Sequence, residues 1–167
     1  MKKYTLLFLI QRDSDNKVVK ILLAMKKRGF GMGNWNGVGG KVESSESVEQ
    51  ACVREAKEEI GVTVNIEDLT FVANNIFEFK EVEDINKKFL DVDVFTAEKW
   101  QGDIQETEEM RPEWFAADDI PYDTMWDDDK YWLPEIINDK KIKTHCLFDK
   151  DSKVIDFKME VVSPKKF

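Results

Sequence analysis

Apolar and polar positions along this chain follow two rhythms. Residues 4–12 and 18–25 are short, densely apolar runs rich in Leu, Ile, Val and Phe, and they predict two strands joined by a polar turn at 13–16. Longer strand patterns follow at 69–80 and 89–96, with the charged stretch 81–88 between them as in a hairpin. Residues 110–115 form a shorter run that contains Pro112, which confines it to an edge or a bulge. Residues 143–148 and 154–161 alternate as a terminal strand pair. The helical period of 3.6 takes over at 47–60, and again from the acids at 127–129, which can cap a helix through about residue 138 with Pro134 bending it. A basic, glycine-rich loop covers 26–34, an extended segment 35–42, and an acidic loop 106–109. No repeat, linker or low-complexity tract interrupts this order. The pattern predicts an α+β fold, with mixed sheets and helices packed on them, in one domain spanning 1–167.

The helix at 47–60 carries the most informative pattern. Ser44, Ser45 and Ser47 offer N-caps, and Gly61 suits the left-handed position after the last turn. Val48, Ala51 and Cys52 start a stripe that ends in Glu55, Glu58 and Glu59. At about 100° per residue these three acids fall within roughly a third of a turn, while Gln50 and Lys57 point away. Acids at that end oppose the helix dipole and repel one another. A solvated acidic helix end is the plain reading. A divalent cation is the alternative, because clustered carboxylates suit a hard ion such as Mg²⁺, with Mn²⁺ a possible substitute.

Composition narrows the classes. A formal net charge of -9 argues against a nucleic-acid polymer as partner, since such binding needs many Lys and Arg contacts to phosphate. Two cysteines, Cys52 and Cys146, set no disulfide framework and fit a reducing cytoplasm. One histidine, His145, excludes a multi-His metal site and is expected as an ordinary strand residue. Met1-Lys2-Lys3 and the apolar run after it superficially suggest a signal peptide, but the run is short and no small-residue cleavage site follows. No segment reaches membrane-spanning length, and residues 164–167 match no lipidation or sorting signal.

From Gly40 to Val62 the sequence matches G-x5-E-x7-R-E-U-x-E-E-x-G-U, where U is apolar, with Gly40, Glu46, Arg54, Glu55, Glu58, Glu59, Gly61 and Val62 in register and Ala56 in the remaining apolar slot. This resembles the Nudix box of the Nudix hydrolases. Further segments (25–31, 35–42, 77–79, 91–95, 108–112, 114–115 and 125–129) resemble the MutT-like oxidised-purine nucleoside triphosphatase branch of that family, so the likeness covers nearly the whole chain. The resemblance implies an α/β/α sandwich with a central mixed sheet. It also implies Mg²⁺-dependent hydrolysis of 8-oxo-dGTP and 2-oxo-dATP to monophosphate and pyrophosphate, by a monomer that binds a small nucleotide and no membrane. Glu55, Glu58 and Glu59 are the primary metal ligands expected, and the resemblance adds the Gly39 carbonyl and Glu109. Any of Glu58, Glu59 and Glu109 could be the general base. Arg54 is expected to orient a carboxylate, and Glu46 to support or to catalyse.

Lys26 is the leading phosphate partner, with Lys41 second; Lys27 reads as part of a solvated turn. Gly39 and Gly40 allow close backbone approach. Phe30, Phe77 and Trp126 could form an aromatic slot, although each taken singly is more often core. Trp126 runs into Asp127, Asp128 and Asp129, and adjacent buried carboxylates rarely all ionise. A protonated and an ionised Asp side by side offer a donor and an acceptor to a purine edge; the plain alternative is a helix cap. Asn36 is a second candidate for the base edge, and Thr5 is placed there by resemblance alone. Asp127 departs from the related sequences, which have proline there. Hydrolysis of a dinucleotide, methylated nucleotide or RNA cap, or a non-catalytic nucleotide sensor, are the alternative functions.

Overall fold

A computed structural model describes residues 1–162; the tail at 164–167 lies outside them. Eight strands form the frame: β1 Lys2–Arg12, β2 Val18–Lys26, β3 Trp35–Asn36, β4 Thr70–Phe79, β5 Phe89–Ala97, β6 Met110–Ala116, β7 Lys141–Phe148 and β8 Val154–Val162. The order is β3-β2-β1-β5-β4-β7-β8, with β6 also paired to β2. β1 runs parallel to β5, and β4 parallel to β7; the other pairings are antiparallel. The mixed sheet and its covering helices are the α+β arrangement expected.

Burial on both faces explains why β1 and β2 read as nearly unbroken apolar runs. Leu7 and Leu9 of β1 and Leu22 and Ala24 of β2 join one core with Cys52, Ala56 and Ile60 of helix α1, Val48–Ile60. Phe8, Ile10, Ile21 and Leu23 point the other way, into a second core with Trp132, Leu133 and Ile136 of helix α3, Asp129–Ile137. The sheet therefore lies between α1 and α3. Pro112 sits on β6, an edge strand, opposite Ala24, where a missing N–H does least harm.

The structure refines two sequence expectations and changes a third. The 81–88 connection contains a short helix, α2 Ile85–Lys88, with Asp84 accepting from the Asn86 N–H. Only Trp35–Asn36 of the 35–42 segment is strand; beyond it the chain lies across β1, where Leu7 and Val38 exchange backbone hydrogen bonds and Thr5 N–H donates to the Gly40 carbonyl. Finally, no side chain caps α3, because Asp128 is engaged elsewhere.

Leu133 is fully buried, whereas Ile85 is 64% exposed. Leu133→Ala is expected to lower the unfolding free energy by about 2–5 kcal/mol in urea titration, and Ile85→Ala by less than about 1 kcal/mol.

Candidate active site

Helix α1 delivers its acids through well-formed ends. Ser47 accepts from the Gln50 N–H while the Gln50 side chain accepts from the Ser47 N–H, a complete capping box, and Gly61 closes the helix at φ 77° with its N–H on the Lys57 carbonyl. The stripe predicted from spacing descends into the protein unequally. Glu58 remains outside with its side chain 55% exposed, Glu55 is largely covered, and Glu59 is only 2% exposed.

Glu59 meets the segment that crosses β1. The Gly39 N–H donates to Glu59 Oε1 at 3.1 Å. A Cβ at Gly39 would run into the Thr5 carbonyl, and one at Gly40 into the Glu55 carboxylate, so glycine is what permits this approach. Burial, then the adjacent Glu55, push the Glu59 carboxyl up to about 9.

Arg54 holds the neighbouring acids. Its Nε and Nη2 donate to the two Glu46 oxygens at 3.0 and 2.7 Å, its Nη1 reaches Glu55 at 3.0 Å and Glu58 at 3.3 Å, and Nη2 also donates to the Lys41 carbonyl. The Arg54 guanidinium in turn holds the Glu46 carboxyl below its ordinary range. This bidentate fork is the orienting arrangement expected of Arg54.

Glu109 reaches the helix through tertiary contacts alone. Thr107 Oγ1 donates to the Glu59 carbonyl at 2.9 Å and accepts from the backbone N–H groups of Glu109 and Met110. Arg28 Nη2 donates to Glu109 at 3.3 Å. Lys27 is not simply solvated: it pairs with Glu106 at 2.7 Å and donates to the Thr107 carbonyl. No three carboxylates converge into a ready ligand cluster among the described residues; Arg54 pairs with Glu46, Glu55 and Glu58, and Arg28 with Glu109. The donor set still fits a hard divalent cation. Glu55, Glu58 and Glu59 bring carboxylates to one end of α1, and buried Glu59 Oε2 has no hydrogen-bond partner among the described residues.

Beside these acids opens a cavity of about 260 Å³, whose lining includes Thr5, Lys26, Phe30, Asn36, Gly39, Gly40, Phe77, Trp126, Asp128 and Asp129. Ten of the eleven sequence-predicted substrate residues are thus gathered on one concavity. Lys41 is the exception: it lies outside the lining, exposed, contributing its carbonyl to Arg54. Lys26 reaches the cavity unpaired with any carboxylate among the described residues, unlike Lys27 and Arg28. Phe30, 71% exposed, packs near Trp126 at the mouth with ring centroids 5.1 Å apart. Asn36 Oδ1 accepts from the Gly37 N–H. Thr5 is 2% exposed, with Oγ1 unpartnered among the described residues.

Asp128 and Asp129 are each 2% exposed. Asp128 Oδ2 accepts from Trp132 Nε1 at 2.7 Å, which is why it caps nothing. Burial pushes Asp128 up to about 6 despite that bond, with the Asp127 charge also raising it. Asp129 is held well above its ordinary range by burial and then by Asp128, and its Oδ2 has no partner among the described residues. The pair can therefore share a proton, one oxygen donating and another accepting.

Sequence reasoning passed over Trp132, Phe79 and Phe148 as site residues, yet all three line the cavity. Trp132 lies four residues after Asp128 on a helix, a spacing that could have revealed it. Phe148 belongs to β7, and only the β4–β7 pairing brings it to Phe77 and Phe79. His145 lies on β7, half exposed, near Glu78 and outside the cavity.

Comparison with known proteins agrees with this architecture. The NUDIX domain family model matches residues 3–136. A Danio rerio protein named oxidized purine nucleoside triphosphate hydrolase is 41% identical over 143 residues, 86% of this chain and 88% of that protein. The Mus musculus protein of the same name is 38% identical over 159 residues, covering 95% and 94%. The crystal structure of a MutT protein from Bacillus halodurans shares the fold with a TM-score of 0.79, at 21% identity over 96% of this chain and 98% of that one. The chain belongs to the Nudix hydrolase family.

The buried pair makes stability depend on pH. Carboxyls raised in the folded state bind more protons there than in the unfolded chain, so their contribution is full below about 3.8 and is lost as pH rises through about 6 and beyond. Asp129→Asn is expected to raise the melting temperature at pH 8 by several degrees relative to the parent, on the order of 1–2 kcal/mol. That gap should close as pH falls towards 4 in a thermal-unfolding series.

Proposed function

We propose that this protein hydrolyses oxidised purine nucleoside triphosphates, 8-oxo-dGTP and 2-oxo-dATP, to the monophosphate and pyrophosphate, with Mg²⁺ as the physiological cation. The observation that carries the reading is the Asp128–Asp129 pair, buried in the same aromatic-walled cavity that Gly39, Gly40 and Lys26 line, with Gly39 bonded in turn to Glu59 at the acidic end of α1. Oxidation changes the donor and acceptor pattern of a purine edge. A carboxyl pair that can hold one proton supplies either role, and Asn36 adds an amide. Trp126, with Phe30 packed beside it, supplies an apolar face against which a base stacks. Lys26 meets the phosphate chain, and the glycines bring backbone close to it.

Glu55, Glu58, Glu59 and Glu109, with the Gly39 carbonyl, would hold the cation, which when bound neutralises phosphate charge and acidifies water. Arg54, through its fork on Glu46 and its contacts to Glu55 and Glu58, keeps those carboxylates aimed. Glu59, braced by the Gly39 N–H, presents its second oxygen to the reacting region. The reading describes a single-domain, monomeric cytoplasmic enzyme, with its two cysteines free and buried. The acidic surface turns away polymeric nucleic acid and leaves the small nucleotide as partner.

Purified protein with Mg²⁺ is expected to convert 8-oxo-dGTP to its monophosphate and pyrophosphate at a kcat/KM at least about tenfold above that for dGTP. Equal rates on the two would remove the base-specificity claim. Glu59→Gln should lower kcat by about 100-fold or more with an unchanged far-ultraviolet circular dichroism spectrum; undiminished turnover would exclude Glu59 from the machinery.

A further inference from the structure

Asp127 stands between Trp126 and Asp128 but does not line the cavity. Its Oδ2 accepts from the Val154 backbone N–H at 2.9 Å, across 27 residues of chain, and its Oδ1 pairs with Lys130 at 3.1 Å. Lys130 is about half exposed, so that ion pair adds little. The bond to Val154 is the substantial one, a backbone donor on an ionised and largely covered acceptor.

Val154 opens β8 and faces Phe148, where the β7–β8 register shifts. Phe148 is 3% exposed, lines the cavity, stacks on Phe79 at 5.5 Å and meets Phe77 edge-on at 5.8 Å. One carboxylate thus joins two walls of the cavity that no pairing of regular strands connects directly: the Trp126–Asp129 segment, and the aromatic wall carried by β4 and β7. Asp127 is also suited to a role that its neighbours cannot fill. The Val154 N–H holds its carboxyl below the ordinary range, whereas Asp128 and Asp129 are driven towards the neutral form.

We infer that Asp127 is a positioning residue, whose carboxylate ties the Trp126–Asp129 segment to the start of β8 and so sets where Trp126 and the aspartate pair stand against Phe148 and Phe77. The inference deepens the substrate-binding role proposed for this cavity and rests on it. Asp127 touches no base. It acts through the residues on either side, and the property it controls is the fit of the purine rather than the chemistry at phosphate.

The test compares the parent, Asp127→Ala and Asp127→Asn in steady-state hydrolysis of 8-oxo-dGTP, with nuclear magnetic resonance of the Trp126 indole N–H and amide exchange at Val154. Asp127→Ala should raise KM by about tenfold while kcat stays within about twofold. Asp127→Asn keeps an acceptor for the Val154 N–H, and should return KM to within about threefold of the parent. The Val154 amide should exchange faster in Asp127→Ala and slowly in Asp127→Asn, and the Trp126 indole resonance should move in the first variant and return in the second. Parent KM in Asp127→Ala, or equal damage in both variants, would overturn the clamp. The resonance and exchange arms need no turnover. An unmoved indole in Asp127→Ala would therefore overturn the positioning role in a protein that hydrolyses no oxidised nucleotide, and a moved indole there would uphold the clamp while the proposed activity fails.

Discussion

The structure turns on the close approach of the 37–40 segment to strand β1, and on the hydrogen bond from the Gly39 N–H to Glu59 that this approach makes possible. A carboxyl only 2% exposed is costly to bury. Here one oxygen is paired with a backbone donor, and its helix is locked at both ends by a capping box and a left-handed glycine. The same crossing forms part of the cavity wall, since Gly37, Gly39 and Gly40 all line it. One backbone event therefore places the acidic helix end and the cavity side by side. A side chain at Gly39 would force them apart by colliding with the Thr5 backbone.

Two acidic centres flank that cavity, and they resolve their repulsion differently. At the end of α1, Arg54 and Arg28 spread positive charge among Glu46, Glu55, Glu58 and Glu109, leaving Glu59 as the member that burial drives towards its protonated form. At the start of α3 no arginine intervenes. Asp128 is stabilised by the Trp132 indole, Asp129 is left with an unpartnered oxygen, and both rise because charge is unfavourable there. The first centre is threaded with arginine, while the second keeps its carboxyls towards the neutral form. Asp127, directly before the second pair and held below its ordinary range, belongs to neither and accepts from the Val154 N–H at the start of β8.

Much of this was legible in the sequence wherever the deciding interaction is local. The strand runs, the α1 boundaries and the Glu55, Glu58, Glu59 stripe follow from periodicities of two and 3.6, and the structure reproduces them. The α3 cap failed as an expectation for a reason local rules do not contain. Asp128 had a better donor in Trp132, and a buried indole N–H competes strongly for an acceptor. Lys27, read as part of a solvated turn, is exposed and also pairs with Glu106, a partner 79 residues away that no local rule could supply, and Lys41 stands outside the cavity lining.

The chain by itself determined which acids and aromatics share an element and on which element each stands, because helix and strand periods and cap residues act over only a few positions. Tertiary structure decided the rest. It brought Glu109 to the helix through Thr107, set Phe148 against Phe77 through a parallel strand pairing, and made Glu59, Asp128 and Asp129 unusual acids by excluding water from them. Burial and the field of distant charges depend on which surfaces meet, and that is fixed only when the whole sheet closes between its two helices.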